Sequence, residues 1–321
     1  MMTEHENKHI KRKRIALIGI GDIARKVYLP LLINRVDIEV VGIISHSEQT
    51  VRQTMDTFRL TKGSTDIEDI QKWELDAVFV HSPTSTHYDI VMKCLQYGLP
   101  VYVDKPLSYN IEEARQMTST AEQKDLLLAV GFNRRFAPLY MNAYAWLAEA
   151  GGFELCEVVK HRTRLQSVPA KETVYDDLIH MLDLLMWLGN DTYTVMAHQL
   201  RQQGNGNGPM LHASGMLSLG NGRYGSYTMA RSAGIDMERL ILHGGGRSAE
   251  VMNMDSAYLY EKDMLPQQQQ FGSWETIWER RGFMGVVDHF LDRLSTPEQC
   301  SIRADLVLES HILADRLTCD L

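Results

Sequence analysis

A small-residue pattern near the start of the chain is the feature that most limits what this sequence can fold into. Gly19, Gly21 and Ala24 form a GxGxxA pattern directly after the short apolar run at residues 14–19, and a stretch of helical character follows, from Asp22 to about residue 35. In such a turn the first glycine permits the tight bend, the second lets a pyrophosphate approach the backbone, and the small alanine allows close packing of helix on strand. The helix N-terminus, with Asp22 and Ile23, adds free N–H groups and a positive dipole end. The pattern predicts a dinucleotide site, and a glycine turn without a ligand is the alternative.

The next hundred residues alternate between apolar runs and helical segments. Residues 38–44, 76–81, 100–104 and 126–131 have the composition of buried strands, whereas residues 87–98 and 111–124 have helical patterns. Pro30 is expected to kink or end the first helix. Strand–helix alternation with short connections predicts right-handed crossovers on a parallel sheet. We therefore expect a doubly wound Rossmann domain over residues 14–133, after a basic tail at residues 1–13.

The second half of the chain has a different pattern. Helices are predicted at about 139–150, 175–188, 283–294 and 304–317, with a long strand over 153–165 and a loop at 267–270. Glycine-rich turns at 204–208, 220–222 and 244–246 separate strand-like segments, and such turns favour hairpins. The expected fold class is thus α/β, with a second α/β domain over 134–321 that carries a large, mostly antiparallel sheet for substrate binding and oligomerisation.

Charge and cysteine content exclude several classes of protein. The 321 residues include 33 Lys and Arg against 41 Asp and Glu, a formal charge of −8, which argues against a nucleic-acid binder. The basic cluster at residues 8–14 is either a solvated tail or an electrostatic arm. No signal peptide or membrane span is expected, so the chain is interpreted as cytoplasmic. Cys94, Cys156, Cys300 and Cys319 are far apart, which predicts free thiols without a metal or disulfide site.

The end of the second predicted strand bears on the type of dinucleotide. NAD-selective sites place an acidic residue there to bind the ribose 2′-hydroxyl. This chain has Ser45 and His46 instead, with Arg52 nearby in sequence. These residues suit a 2′-phosphate, so NADP is slightly favoured over NAD.

Two further segments carry reactive side chains. Lys105 lies between Asp104 and Pro106 directly after a predicted buried strand, which places it at the carboxyl edge of the sheet, where ligands bind, unless it is only a loop lysine. Asp176, His180 and Asp183 have spacings of four and three residues, which predicts one shared helix face. The alternatives are dipole contacts for the acidic residues, a buried structural histidine, or a metal site.

Taken in order, these motifs resemble those of the Gfo/Idh/MocA oxidoreductases. Members of that family carry GxGxxA, then TPxxxH, EKP and DxGxH, and this chain has Gly19, Gly21 and Ala24, then Pro83-Thr84-Ser85-Thr86-His87, then Asp104-Lys105-Pro106, then Asp176 and His180. Residues 79–82, 103–107, 131–138, 160–162 and, in part, 280–283 are similar to the MviM-like branch. Asp104 replaces the family glutamate and is one methylene shorter, so we expect it to hold Lys105 differently. Leu178 replaces the family glycine and is expected either to crowd the substrate or to redirect the helix.

The resemblance implies an NAD(P)-dependent oxidoreductase that transfers hydride between the nicotinamide and a sugar-like or cyclitol alcohol. Lys105, Asp176 and His180 would be catalytic, with either Lys105 or His180 as the base. Arg134 and His161, and more weakly Arg162, would lie on the substrate side. Cofactor contacts beyond the glycine turn would come from Ser82, Pro83, Thr84, His87, Asp104 and Lys105.

Two other functions remain open from the sequence. A non-catalytic NAD(P)-binding regulator or sensor would share the fold, because a fold does not settle a function. An NAD-dependent glycosidase would use the same cofactor without net redox change. For partners, we expect a polyol or sugar-like small molecule and a homodimer or homotetramer formed through the open sheet of the second domain, with neither nucleic acid nor membrane.

Overall fold

The computed structural model describes residues 12–190, 192–204 and 206–319, and they form two compact units. The first contains the chain up to Val103 together with Thr120–Leu128, and the second contains Asp104–Ser119 and the chain from Ala129 onward. Residues 1–11 of the predicted basic tail lie outside the described residues. Lys13 already belongs to the first strand, and Arg14 forms an ion pair with Glu39. Within the described residues, no helix has the length and apolar character needed to cross a bilayer.

The N-terminal part of the chain forms a six-stranded parallel sheet. Its strands are β1 (Lys13–Ile18), β2 (Ile38–Ile44), β3 (Gly63–Ser64), β4 (Ala77–Val80), β5 (Val101–Val103) and β6 (Leu128–Val130). The order β3-β2-β1-β4-β5-β6 is the doubly wound order of a Rossmann fold, which confirms the prediction. The helices along this stretch are α1 (Leu29–Ile33), α2 (Glu48–Phe58), α3 (His87–Gln96) and α4 (Ile111–Gln123), with a 3₁₀ helix at Ile67–Lys72.

Proline changes the first helix in a way that the sequence did not specify. The helix widens into a π-helical turn over Ala24–Tyr28, where the Leu29 N–H donates to the Ala24 carbonyl, and then continues as α1 with Pro30 in its first turn. Pro30 has no N–H to donate, and the first turn of a helix tolerates this loss. The helix therefore continues past Pro30, which follows the wider turn, and does not end there.

The second unit is built on an eight-stranded sheet. Its strands are β7 (Leu155–His161), β8 (Tyr193–Gln202), β9 (Met210–Leu219), β10 (Arg223–Ala230), β11 (Met237–Gly244), β12 (Arg247–Met252), β13 (Ser256–Glu261) and β14 (Gln267–Gln270). The order is β14-β13-β12-β11-β7-β10-β9-β8, and among the registered pairs only β7 and β10 run parallel. The three predicted glycine-rich turns connect β8 to β9, β9 to β10 and β11 to β12, which are antiparallel pairs.

One element of this sheet was predicted wrongly. Residues 267–270, expected to be a loop because of their four glutamines, form the edge strand β14 against β13. Glutamine has no strong preference for strands, and the pairing comes from the neighbouring strand. An edge strand exposed to solvent also tolerates polar side chains.

Helices cover one face of the large sheet. The helices of this unit beyond α4 are α5 (Pro138–Ala148), α6 (Ala170–Thr173), α7 (Ile179–Gly189), α8 (Ile277–Arg280), α9 (Phe283–Asp292) and α10 (Ala304–Arg316). Helix α7 packs on β7, β10 and α10, whereas α5 packs on β11 to β13. Cys156 and Val158 on β7 are buried under this layer. The opposite face exposes apolar side chains such as Met216, Tyr224 and Tyr258.

The helix that carries Asp176 and His180 begins earlier than predicted and is interrupted. It begins with α6 at Ala170, passes through a π-helical turn over Val174–Leu178, and continues as α7. Asp176 therefore does not lie at a helix N-terminus. The π-helical turn lies between Asp176 and His180, so their spacing is not that of the regular α-helix on which the predicted shared face was based.

Candidate functional site

A cavity of about 500 Å³ lies at the carboxyl end of β1 in the first unit. Gly19, Gly21, Ser45, Ser82 and Pro83 are among its lining residues. Polar backbone at the end of parallel strands, next to the start of a helix, is the arrangement in which α/β proteins bind nucleotides. The sequence prediction of a ligand at this turn thus coincides with a real cavity.

The two glycines have distinct physical roles. Gly19 has φ +87°, and a Cβ there would lie 2.3 Å from the Ser82 backbone nitrogen, so the turn requires glycine. A Cβ on Gly21 would approach only the His81 carbonyl oxygen, at 3.8 Å, which leaves the cavity side open for a pyrophosphate. The Ser82 Oγ is buried without a hydrogen-bond partner among the described residues, as expected of a group that waits for a ligand. The residues present therefore fit a dinucleotide.

The other residues predicted to lie around the glycine turn differ in burial and in contacts. Ala24 is fully buried in the π turn, while Asp22 is exposed and binds Arg25 and Lys26. Lys26, and then Arg25, lower the pKa of the Asp22 carboxyl. His87 is buried and its Nε2 lies 2.9 Å from the Ser82 carbonyl oxygen, so it supports the backbone behind the cavity.

At the end of β2, the lining is only partly as the sequence suggested. Ser45 and His46 line the cavity, Ser45 buried and His46 exposed. Arg52, considered for a 2′-phosphate, instead forms an ion pair with Glu48 one helical turn earlier, and both side chains are largely exposed. The lining contains one carboxylate, Asp66, whose side chain caps the 3₁₀ helix at Ile67–Lys72.

The second unit brings two of the predicted catalytic residues into contact. Lys105 Nζ donates a hydrogen bond to the backbone carbonyl of Asp176. The Asp176 carboxylate accepts from the Tyr109 hydroxyl, which lies 2.9 Å from both of its oxygens. The Asp104 carboxylate accepts from the Lys105 backbone N–H at 2.9 Å, so the shorter replacement of the family glutamate caps the start of this loop.

The loop that carries Lys105 is held from behind by a buried histidine. His311 Nε2 on α10 accepts from the Leu107 backbone N–H at 2.9 Å. Burial lowers the pKa of His311 to about 4, so this ring stays neutral and keeps its acceptor nitrogen at neutral pH. The loop position is thus fixed by an interaction that pH does not disturb near neutrality.

His180 lies buried in the same unit, in a strongly positive environment. Burial lowers the pKa of its imidazole well below the usual value, and Arg134, Lys160, Lys105 and Arg162 lower it further. Its Nδ1 is buried without a hydrogen-bond partner among the described residues. The ring is neutral at neutral pH and retains an open position for a proton or a ligand.

A buried ionic cluster borders His180 and joins the substrate-side candidates Arg134 and Arg162 to four residues for which the sequence suggested no function. We call it the inner charge cluster: Arg134, Lys160, Arg162, Asp177, Arg231 and Glu238. Asp177 pairs with Lys160, Arg231 and Arg162, and Glu238 is bound by Arg134 at 2.7 and 2.8 Å and by Arg162 at 2.7 Å. Burial raises the pKa of Glu238, but Arg134 and Lys160 outweigh it and hold that pKa well below its usual range.

Lys160 is a cation of this cluster whose pKa is strongly lowered. It is buried and touches both Asp177 and Glu238, yet burial, followed by repulsion from Arg134, lowers its pKa to about 7. Alternation along β7 places the next residue, His161, on the other face of the sheet, where its Nδ1 accepts from the Ala230 backbone N–H. The structure therefore brings Arg134 next to His180 and directs His161 elsewhere.

Asp183, the third member of the predicted helix face, is committed to a separate pair. Its carboxylate binds Arg135 at 2.7 and 2.9 Å and accepts from Ser310 at 3.0 Å, in the interior of the second unit. Leu178, which replaces the family glycine, is fully buried in the π turn. All four cysteines are free, three of them buried, and among the described residues no group of acids, histidines and cysteines has the arrangement of a metal site.

Comparison with known proteins agrees with this geometry. Residues 13–132 match the family model of the Gfo/Idh/MocA oxidoreductases with an NAD-binding Rossmann fold, and residues 138–262 match the YceM-like C-terminal domain. The chain is 33% identical to the putative oxidoreductase YceM of Salmonella typhimurium, over 87% of this chain and 88% of that one. It is 27% identical to the scyllo-inositol 2-dehydrogenase (NAD⁺) of Bacillus subtilis, over 58% of this chain and 56% of that one.

A solved structure extends the similarity to the whole fold. The crystal structure of a dehydrogenase (MviM) from Clostridium difficile superposes with a TM-score of 0.89 at 28% identity, covering 97% of this chain and 100% of that one. The motif order, the Rossmann cavity and these similarities lead to one conclusion. The chain belongs to the Gfo/Idh/MocA family of NAD-binding oxidoreductases and is MviM-like.

Proposed function

We propose that this protein transfers hydride between a nicotinamide cofactor and the carbinol or carbonyl carbon of a sugar-like or cyclitol substrate. The observation that carries the proposal is the cluster of Lys105, Asp176 and neutral His180 in a chain that also has a nucleotide cavity. The similarity to a scyllo-inositol dehydrogenase supports the substrate class.

The bound nicotinamide supplies the hydride acceptor or donor, and the protein supplies orientation and proton transfer. Oxidation of an alcohol also requires removal of the hydroxyl proton. His180 suits this role because its ring is neutral at neutral pH and its Nδ1 has no partner among the described residues.

Lys105 has the complementary role of stabilising negative charge on the reacting oxygen. Its ammonium has three donor positions, and among the described residues the Asp176 carbonyl takes one of them. A donor aimed at a developing oxyanion contributes about 10²–10³ in kcat when the site excludes water. We therefore assign Lys105 as the electrophilic residue and His180 as the base.

Asp176 orients the substrate in this proposal. Its carboxylate accepts from the Tyr109 hydroxyl, and a carboxylate has about four acceptor positions, enough to accept from a substrate hydroxyl as well. A polyhydroxylated substrate offers such donors on the carbons next to the reacting one. This residue accordingly acts through position, and the Asp176 backbone carbonyl at the same time anchors Lys105.

For the cofactor, we propose a modest preference for NADP. The end of β2 has Ser45 and His46 and no carboxylate, which removes the usual partner of the NAD 2′-hydroxyl. Because Arg52 is engaged with Glu48, His46 is the remaining side chain for a 2′-phosphate at this strand end. A single exposed histidine supports less discrimination than an arginine, so the preference stays below about tenfold.

The test has two stages on the purified protein. Cofactor fluorescence first measures Kd for NADPH and NADH, and a panel of polyols, cyclitols and their keto forms is then screened for a change in cofactor absorbance. We expect micromolar binding, turnover of at least one panel member, and loss of that turnover in Lys105→Met. Lys171→Met, which changes a half-exposed lysine on α6, is the matched control and should retain activity.

The outcomes separate the alternative functions. Tight cofactor binding with no turnover in any variant would favour a sensor. Turnover of a glycoside without net change in the cofactor would favour a glycosidase. Failure to bind either nucleotide would contradict the proposal at its first step.

A further inference from the structure

The region around His180 contains more positive than negative side chains. The inner charge cluster has four cations and two carboxylates, and Lys105 and Asp176 lie beside it. The pairing is incomplete, because the buried Nε of Arg231 has no hydrogen-bond partner among the described residues. Buried cations without enough counter-ions are unfavourable unless a ligand supplies the missing charge.

A cavity of about 410 Å³ opens next to this cluster and lies wholly in the second unit. Arg162 and Glu238, members of the cluster, form one side of it, and Arg281 forms another. The Arg281 carbonyl accepts from the Asn133 side chain at 2.7 Å, which fixes the backbone, while its guanidinium has no ion pair or hydrogen bond to any described residue. An arginine whose guanidinium donors are all available among the described residues therefore borders a cavity that reaches the cluster.

The other carboxylates at this cavity do not cancel the excess. Asp255 binds Arg280 at 2.9 Å, and Asp236 accepts from the backbone and hydroxyl of Thr163 at 2.6 and 2.8 Å. We count the charged residues of the cluster and of the cavity, together with Lys105, Asp176 and the Asp255 partner Arg280. They comprise seven cations and five carboxylates, which is an excess of two positive charges when Lys160 is protonated. The cations are Lys105, Arg134, Lys160, Arg162, Arg231, Arg280 and Arg281, and the carboxylates are Asp176, Asp177, Asp236, Glu238 and Asp255.

We propose that the substrate is an anion, a polyol that carries a carboxylate or a phosphate, and that this group binds in the cavity between Arg162 and Arg281. This inference rests on the proposed function and specifies its substrate class. The hydroxyl-rich part of the substrate would extend from this cavity to the catalytic residues, because Asp176 and Asp236 can accept hydrogen bonds from its hydroxyl groups. Carboxylate and phosphate share the recognition chemistry, which is charge-assisted hydrogen bonding to guanidinium.

The positive environment agrees with this assignment. Lys160 has two carboxylates in contact and still has a lowered pKa, with Arg134 as the main electrostatic cause after burial. An anion bound near Arg162 would reduce the mutual repulsion of these cations. A neutral polyol would leave that repulsion unchanged and would gain only ordinary hydrogen bonds.

The test compares three ligands with the same six-carbon chain: D-glucitol, D-gluconate and D-glucitol 6-phosphate. Isothermal titration calorimetry on the full chain, with and without saturating NADP⁺, measures Kd for each. We expect at least one anion to bind about tenfold more tightly than glucitol, since hydrogen bonds to charged groups are the stronger ones. The ratio of the two anions identifies carboxylate or phosphate as the natural group.

Variants connect the preference to the cavity. Arg281→Gln should remove most of the advantage of the anions and leave glucitol unchanged. Arg201→Gln is the matched control, because it removes one exposed arginine from β8, at the opposite end of the sheet, and should retain the preference.

Binding and turnover are measured separately, so this inference and the proposed function fail independently. Selective anion binding without any redox turnover would support the inference and contradict the proposed reaction. Equal binding of glucitol and both anions, no binding of either anion, or an anion preference that survives in Arg281→Gln would overturn the inference, even if the protein oxidises a neutral polyol.

Discussion

The unusual state of Lys160 should appear as a pH dependence of folding stability. A pKa of about 7 in the folded protein, against about 10.5 for an ordinary lysine, means that the unfolded chain holds this proton over a range in which the folded protein has released it. Stability therefore rises with pH between about 7 and 10.5, because the unfolded state binds more protons there. Below pH 7 both states are protonated and the full cost of the buried charge, about 5 kcal/mol as an upper figure, opposes folding.

The perturbation that tests this is Lys160→Met. Methionine keeps the length and apolar stem, and Asp177 and Glu238 retain Arg231, Arg162 and Arg134 as counter-ions. Urea unfolding of both proteins is measured from pH 7 to pH 9. Between these limits the wild type should gain about 2 kcal/mol relative to Lys160→Met, from a linkage slope that approaches 1.4 kcal/mol per pH unit. Other titrating groups are common to both proteins and cancel in the difference.

A control separates this effect from the loss of any lysine. Lys171→Met removes a half-exposed lysine paired with Asp315 and should follow the wild-type curve in this pH range. If wild type and Lys160→Met show parallel stability curves from pH 7 to pH 9, Lys160 is fully charged in the folded protein. The reasoning about an excess of buried positive charge would then be refuted.

Three more predictions concern the fold, the cofactor cavity and the catalytic cluster. Asp183→Asn breaks a buried pair with its arginine partner and should lower the free energy of unfolding by about 3–5 kcal/mol, measured by denaturant titration. Gly19→Ala forces a Cβ to 2.3 Å from the Ser82 nitrogen at positive φ and should weaken NADPH binding more than about tenfold, whereas Gly98→Ala, also at positive φ but with open space around its Cβ, should bind normally. Tyr109→Phe removes a hydrogen bond to the Asp176 carboxylate, which we propose orients the substrate, and should reduce kcat/KM by about tenfold at unchanged Kd for NADPH; an unchanged kcat/KM would remove Asp176 from the proposed mechanism.

Local sequence patterns were sufficient for most of the fold. The apolar run of β2 was predicted at its observed limits, and Gly98, at φ +75°, follows the end of α3 as expected from its freedom at positive φ. The three glycine-rich turns between antiparallel strands were predicted equally well, because the residues that favour a turn are adjacent in sequence. Gln267–Gln270 became a strand only through its neighbour β13, and single-segment reasoning has no access to that pairing.

The site was predictable where motifs are contiguous and unpredictable where strands bring distant residues together. Lys105 and Asp176, which their motifs marked as candidate site residues, lie in contact although they are 71 residues apart in sequence. Glu238 reaches Lys160 because β11 and β7 pair in antiparallel register, and nothing in the sequence around residue 238 indicates this. The only available signal was a lysine at an inward position of a buried strand, since a buried lysine requires carboxylate partners.

We propose that this protein moves hydride between nicotinamide and a hydroxylated carbon, and deuterium labelling follows that hydride from the cofactor to the product. The protein is incubated with NADPH deuterated at C4 on either face and with a panel of keto forms of neutral and anionic polyols, and products are analysed by mass spectrometry. The proposed hydride transfer predicts that deuterium from one face alone appears on a single product carbon, and that Lys105→Met abolishes the transfer while still binding NADPH. Retention of all deuterium on the bound cofactor, with every member of the panel unchanged, would contradict it.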